Sequence, residues 1–172
     1  MSKKKLIKPD KFQLKVNEDD FLIRPIDPKK DLNFILSSWL KSYRNSDFAT
    51  CISNDTYYAF HQSLISQILT HPTNTITIIA SVEDPDQILG YASYSITKPI
   101  IHYIYMKQPF RRLGLGRYLF EGVRNHFKTL EENPVTICTH KCKRWARTSK
   151  ALNLTYNPYM IGDLDESSKD KI

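Results

Sequence analysis

With 172 residues, 41% of them hydrophobic and 12% aromatic, the chain suits one folded domain with a substantial core. It holds no apolar run near the ~20 residues that span a bilayer, and its basic opening, MSKKKLIKPDK, lacks the apolar centre of a signal peptide. Three cysteines, Cys51, Cys138 and Cys142, make no disulfide framework, which with a net charge of +7 points to a reducing, cytoplasmic setting and to anionic partners.

Residues 1–19 are rich in Lys, Asp and Asn, show no sustained periodicity, and read as a basic flexible extension. FLIRPI, from Phe21 to Ile26, is a short strand; Asp27-Pro28 then supplies a cap and a first helical residue. Leu32, Ile35, Leu36, Trp39, Leu40 and Tyr43 recur at helical spacing. A second helix is expected around Tyr57, Phe60, His61, Leu64, Ile65, Ile68 and Leu69, stopped near Pro72. Thr75 to Val82 and Ile88 to Ile96, separated by Asp84-Pro85-Asp86, read as a strand hairpin. Lys98-Pro99 turns the chain into a third consecutive strand, Ile100 to Met106.

That strand feeds the turn PFRRLGLGR, after which Leu119, Phe120, Val123, Phe127 and Leu130 form an amphipathic helix closed by Asn133-Pro134. Val135 to His140 reads as a strand, Trp145 to Leu152 as a short helix and Tyr156 to Ile161 as a last extended segment. Residues 162–172 are a polar tail, which leaves 20–161 as the single domain.

The turn after the third strand has the form of an anion site. Gly114 and Gly116 let the backbone approach a ligand closely, the first amides of the next helix are free to donate, and Arg111, Arg112 and Arg117 add positive charge. A Lys followed by Ser or Thr is missing after the second glycine, so this is not a Walker A loop; the third glycine of a dinucleotide fingerprint is missing too.

Arg111-x-x-Gly114-x-Gly116 at a strand end resembles motif A of the GNAT superfamily of acetyl-CoA-dependent N-acyltransferases. The order of elements from Phe21 to Ile161 is also similar to the GNAT fold, an α/β fold in which helices flank a mixed, mostly antiparallel sheet and two strands splay into a V. The segments SWLKSYR and His140 to YNPY further resemble small GNAT-like proteins of tailed bacteriophages. The resemblance implies acetyl-CoA as co-substrate. Tyr105, Met106 and Lys107 would line its pantetheine arm, and Arg111, Arg112, Leu113, Gly114, Leu115, Gly116 and Arg117 would hold its pyrophosphate. A backbone amide of the strand would stabilise the developing oxyanion, with a primary amine as acceptor and neither metal nor covalent enzyme intermediate.

Acyl transfer to an amine needs a proton acceptor and a donor for the leaving thiolate. His102 is the first candidate for acceptor, four residues before Met106 and so on the same face of a regular strand; His140 is a second. Family members commonly carry a Tyr as donor, in a Tyr-x-x-x-Gly-Phe pattern before the last strand. Here Ser149 stands at the Tyr position and Asn153 at the Gly, which turns attention to Tyr156 and Tyr159 as substitutes. Trp39, Tyr43, Tyr57 and Tyr58, on the first two helices, are candidates for the acceptor pocket. Cys138, His140 and Cys142 alternate along a strand at ~7 Å per pair, a poor geometry for one tetrahedral ion, so no metal is expected. Two other readings stay open: a GNAT-shaped CoA-binding protein without turnover, and a nucleic-acid binder or modifier using its basic stretches and Arg144-Trp145. The state of assembly is expected to be monomer or homodimer.

Overall fold

A computed structural model describes residues 20–47, 49–128, 136–141 and 145–161. The basic extension, the polar tail, the Asn133-Pro134 helix stop, Cys142 and the side chains of Arg144 and Trp145 lie outside the described residues. Six strands form one mixed sheet whose spatial order is the chain order: β1 (Phe21–Pro25), β2 (Asn74–Ser81), β3 (Ile88–Ser95), β4 (Ile100–Met106), β5 (Thr136–Cys138) and β6 (Leu154–Tyr156). The first four run antiparallel, whereas β4–β5 and β5–β6 are parallel. A parallel pair requires a crossover, which α3 (Leu115–Phe127) and α4 (Trp145–Leu152) provide; α1 (Pro28–Arg44) and α2 (Asn54–Thr70) follow one another between β1 and β2. No described helix is long and apolar enough to cross a membrane.

Local chemistry explains the helix bounds. Asp27 caps α1 by accepting from the Lys29 amide, with Pro28 in the first turn, and Ser53 caps α2 through the Thr56 amide. The last strand departs from the sequence reading. It occupies Leu154–Tyr156 rather than 156–161, because Asn153, at φ 51°, takes the left-handed conformation that ends α4 and turns directly into β6. Asn157 then accepts from the Tyr159 amide through its side chain, a local turn that stops the strand before Pro158. Asn153 thus adopts a conformation suited to the glycine with which it aligns.

Two cores sandwich the sheet. Ile35, Trp39, Tyr43, Tyr57, Ile65, Ile68, Ile78, Tyr91 and Tyr103 join α1 and α2 to one face. Ile79, Leu89, Ala92, Ile101, Leu115, Leu119, Val123 and Phe127 join α3 to the other. Phenols tie the layers together while staying satisfied: Tyr57 donates to Leu40 O at 2.8 Å, and Tyr91 donates to Ile35 O at 3.1 Å. Beside α1, Asp31 is buried in a two-bond contact with Arg24 and also accepts from the Asp27 amide.

Candidate active site

The cleft begins with an irregularity in β4. Ser93 pairs with Tyr103 but Tyr94 pairs with Ile101, so His102 is an extra residue, a β-bulge. The bulge overturns the face relation expected from a regular strand. Ile104 and Met106 pack on the α3 side, whereas His102 reaches Asn74, whose amide is bonded to Ile68 O of α2. Beyond the bulge β4 and β5 part company: they pair only through Ile100–Ile137 and Ile101–Cys138, while β4 runs on to Met106.

In the separated part of β4, backbone groups are left for a ligand. The Lys107 amide donates to Leu89 O across the antiparallel pair at 2.9 Å. Hydrogen-bonding direction alternates along a strand, so the amides of Ile104 and Met106 point away from β3 into the splay. Side chains at this end are held firmly. Tyr105 stacks on Tyr91 with centroids 5.2 Å apart, and Lys107 Nζ lies 4.7 Å from the centre of the Phe34 ring.

The chain then makes one 3-10 turn, Gln108–Phe110, and Arg111 Nε folds back to donate to Met106 O at 2.8 Å. Arg112 and Gly114 both take positive φ, 70° and 84°, and Gly114 is the N-cap of α3 with no side chain to offer its amides. Among the described residues, the amides from Arg112 to Gly116 have no acceptor; the first bond of the turn is Arg117 N to Gly114 O, 2.8 Å. Five successive free donors at the positive end of a helix fit a pyrophosphate. The exposed Arg117 side chain pairs with Glu121 at 2.8 Å and leaves this anion cradle to the backbone and to Arg112.

A linked set of polar groups lies where β4 and β5 still touch. His102 is fully buried, with Nε2 3.1 Å from Asn74 Oδ1 and Nδ1 3.3 Å from Thr139 Oγ1. Thr139 Oγ1 is also 3.0 Å from Nδ1 of His140. Burial lowers the pKa of His102 to about 4 and that of His140 to about 3, so both rings are neutral at pH 7. The His140 ring is enclosed edge-to-face by Trp39, Tyr43 and His61, at centroid distances of 5.3, 4.8 and 6.5 Å.

The other residues singled out from sequence separate by exposure. Trp39, Tyr43 and Tyr57 are in the core and wall the histidine cluster rather than an open pocket, whereas Tyr58 faces outward at 41% exposure. Tyr156 pairs in register with Cys138; burial raises its phenol pKa, and Lys141 Nζ lies 4.1 Å from the ring centre. Tyr159 is 93% exposed. Cys138 Sγ donates to His140 O at 3.3 Å, and Ser149 Oγ bonds back to Ala146 O within α4. Asn74 and Thr139 escaped the sequence reading because a strand-edge Asn and Thr look like ordinary turn chemistry. A depression of about 450 Å³ lined by Lys30, Asp31, Phe34, Asp86 and Ile88 sits at the start of α1, away from the histidines.

The sequence matches the Acetyltransferase (GNAT) family over residues 36–147. A candidate acetyltransferase of Bacillus subtilis has a similar structure, with a TM-score of 0.56 at 11% identity over 77% of this chain and 87% of that one. A protein described as a possible acetyltransferase of Clostridium difficile gives 0.52 at 17% identity, over 80% and 91%. A candidate acetyl transferase of Pyrococcus furiosus gives 0.52 at 19%, over 64% and 76%. At such identities the likeness is one of fold. No curated protein matches the sequence.

Proposed function

The chain belongs to the GNAT acetyltransferase family, and from that premise we propose that residues 20–161 form a domain that transfers the acetyl group of acetyl-CoA to a primary amine. The observation that carries this reading is the row of unengaged amides from Arg112 to Gly116, at the end of a strand that has parted from its neighbour. The amides of Leu113, Gly114, Leu115 and Gly116, with the Arg112 side chain nearby, hold the pyrophosphate, while Arg117 stays paired with Glu121. Ile104 and Met106 offer backbone to the pantetheine arm, and Tyr105, Lys107 and Arg111 brace that strand end. Acetyl-CoA supplies the activated acyl group.

In this reading the chain's own groups handle the protons. Both ring nitrogens of His102 already face partners, so His102 acts through Thr139. His140 presents its remaining nitrogen to an N–H of the acceptor. With a pKa near 3 its lone pair orients the neutral, nucleophilic amine and stores little charge. Tyr156 gives its phenol proton to the sulfur as the C–S bond breaks. It is reprotonated by the proton that the amine gives up through His140 as the C–N bond forms, so one proton passes from nitrogen to sulfur overall; exposed Tyr159 is the less favourable donor. Trp39, Tyr43 and Tyr57 form the aromatic wall behind the amine, and Tyr58 stands at its outer rim. The compartment is the cytoplasm, that of a host cell in the narrower, phage-borne reading.

Calorimetric titration with acetyl-CoA and with CoA tests the proposal. Binding of both, followed by amine-dependent release of free thiol in an acceptor screen, is the expected result. Failure of the wild-type protein to bind either nucleotide would remove it.

A further inference from the structure

We infer that Asn74 and Thr139 are positioning residues that fix the tautomer of His140, so that its proton sits on Nδ1 and Nε2 is left as a bare acceptor. The acyl-transfer reading gives this device its use, but the geometry stands without it. Asn74 Nδ2 donates to Ile68 O at 3.0 Å, which fixes the orientation of the amide and turns Oδ1 toward His102. An amide oxygen only accepts. His102 Nε2, 3.1 Å away, must therefore carry the hydrogen.

In a neutral ring the other nitrogen is then a lone pair, so His102 Nδ1 is an acceptor. Thr139 Oγ1 lies 3.3 Å from it and 3.4 Å from His102 O, and the hydroxyl has one hydrogen for both. Were that hydrogen turned instead to His140 Nδ1, two lone pairs would face each other between Thr139 and His102. The arrangement without such a conflict has Thr139 donating toward His102 and His140 Nδ1 donating to Thr139 Oγ1 across 3.0 Å. Thr139 is itself anchored, its amide bonded to Ile101 O at 3.1 Å beside the bulge.

The consequence falls on Nε2 of His140. Among the described residues nothing donates to it, and the ring lies between Trp39, Tyr43 and His61. Trp39 Nε1, buried in the same cluster, likewise has no partner among the described residues. A buried donor left open beside this nitrogen is costly unless a polar guest engages it. The chain of four side chains thus carries an orientation set by a helix-terminal carbonyl to a nitrogen in the cleft.

Ring nitrogen resonances of ¹⁵N-histidine-labelled protein test the inference, since protonated and bare nitrogens are well separated. In the wild type His102 should be the Nε2–H form and His140 the Nδ1–H form. Thr139→Val should convert His140 to a mixture of tautomers, and Thr139→Ser should restore the single form. Protonation of His140 at Nε2 in the wild type would overturn the inference, as would an unchanged His140 tautomer in Thr139→Val. If Thr139→Val does not fold, the wild-type spectrum still decides. Acetyl-CoA titration of the same sample separates the claims: loss of binding sinks acyl transfer alone, and a wrong tautomer in a binding-competent protein sinks this one alone.

Discussion

Substitution of Gly114 separates backbone conformation from simple bulk. At φ 84° and ψ −15° the residue is left-handed, a region that costs an L-amino acid roughly 1–2 kcal/mol. A Cβ built there meets nothing within 4 Å, so the cost to the free protein is conformational, not steric. Gly114→Ala should therefore lower stability by about 1–2 kcal/mol, or roughly 2–8 °C in melting temperature for a domain of this size. Either the strain persists or the turn relaxes and misaims its amides. Each hydrogen bond to a charged phosphate contributes about 1.5–3 kcal/mol, so the loss of one already weakens acetyl-CoA binding by tenfold or more. Asn, which tolerates this region, should retain more affinity than Ala, and Val should retain least. Gly116→Ala isolates bulk against the bound ligand, because that Gly needs no positive φ and its Cβ meets nothing within 4 Å in the free protein. Calorimetry on the series gives the order Gly, Asn, Ala, Val if the reasoning holds. Equal affinities throughout would refute a pyrophosphate site at this turn.

Acid should destabilise the fold through its buried histidines. Their pKa values, about 4 and 3, lie below the unfolded value near 6.5, so folding withholds protons that the unfolded chain accepts. Stability is then at its full value above pH ~6.5 and at pH 5 is lower by about 2 kcal/mol per histidine, a slope that urea titrations should find and that His102→Phe should reduce. Asp31 works in a lower window. Its pKa is depressed by the Arg24 hydrogen bond, so its contribution persists above the ordinary carboxylate range and disappears as pH falls through the depressed value. Asp31→Asn should cost about 2–4 kcal/mol at pH 7 by chemical denaturation, because it leaves a half-buried Arg24 uncompensated. Tyr156→Phe should lower kcat at least tenfold while leaving CoA affinity unchanged, whereas Tyr159→Phe should change neither in the same assay.

The antiparallel meander was readable in the sequence because its strands are bounded by Pro and Asp turns and β2 is rich in β-branched residues. The glycine turn was readable for a different reason: a backbone site needs few side-chain types, and Gly114 is at an angle that favours glycine. The bulge was invisible. Nothing in IIHYIYM distinguishes a regular strand from one with an extra residue, and a single inserted position reverses which side chains share a face. Tyr43 and Tyr57 could be placed on helices, but periodicity does not tell a pocket wall from a core when the same apolar face serves both. The link from Asn74 to His140 joins the start of β2, the bulge of β4, the end of β5 and a helix end, so it exists only after tertiary folding.

Because strand order in the sheet repeats strand order in the chain, this protein can build its sheet from one side as it leaves the ribosome. The first four strands need only their immediate predecessors, and both α1 and α2 are already made when β2 arrives. The β4–β5 seam must wait for α3, since a parallel neighbour cannot dock before its crossover is complete. Vectorial synthesis would therefore complete the meander first and join the two walls of the cleft late, placing the closing of the cleft among the final events of biogenesis.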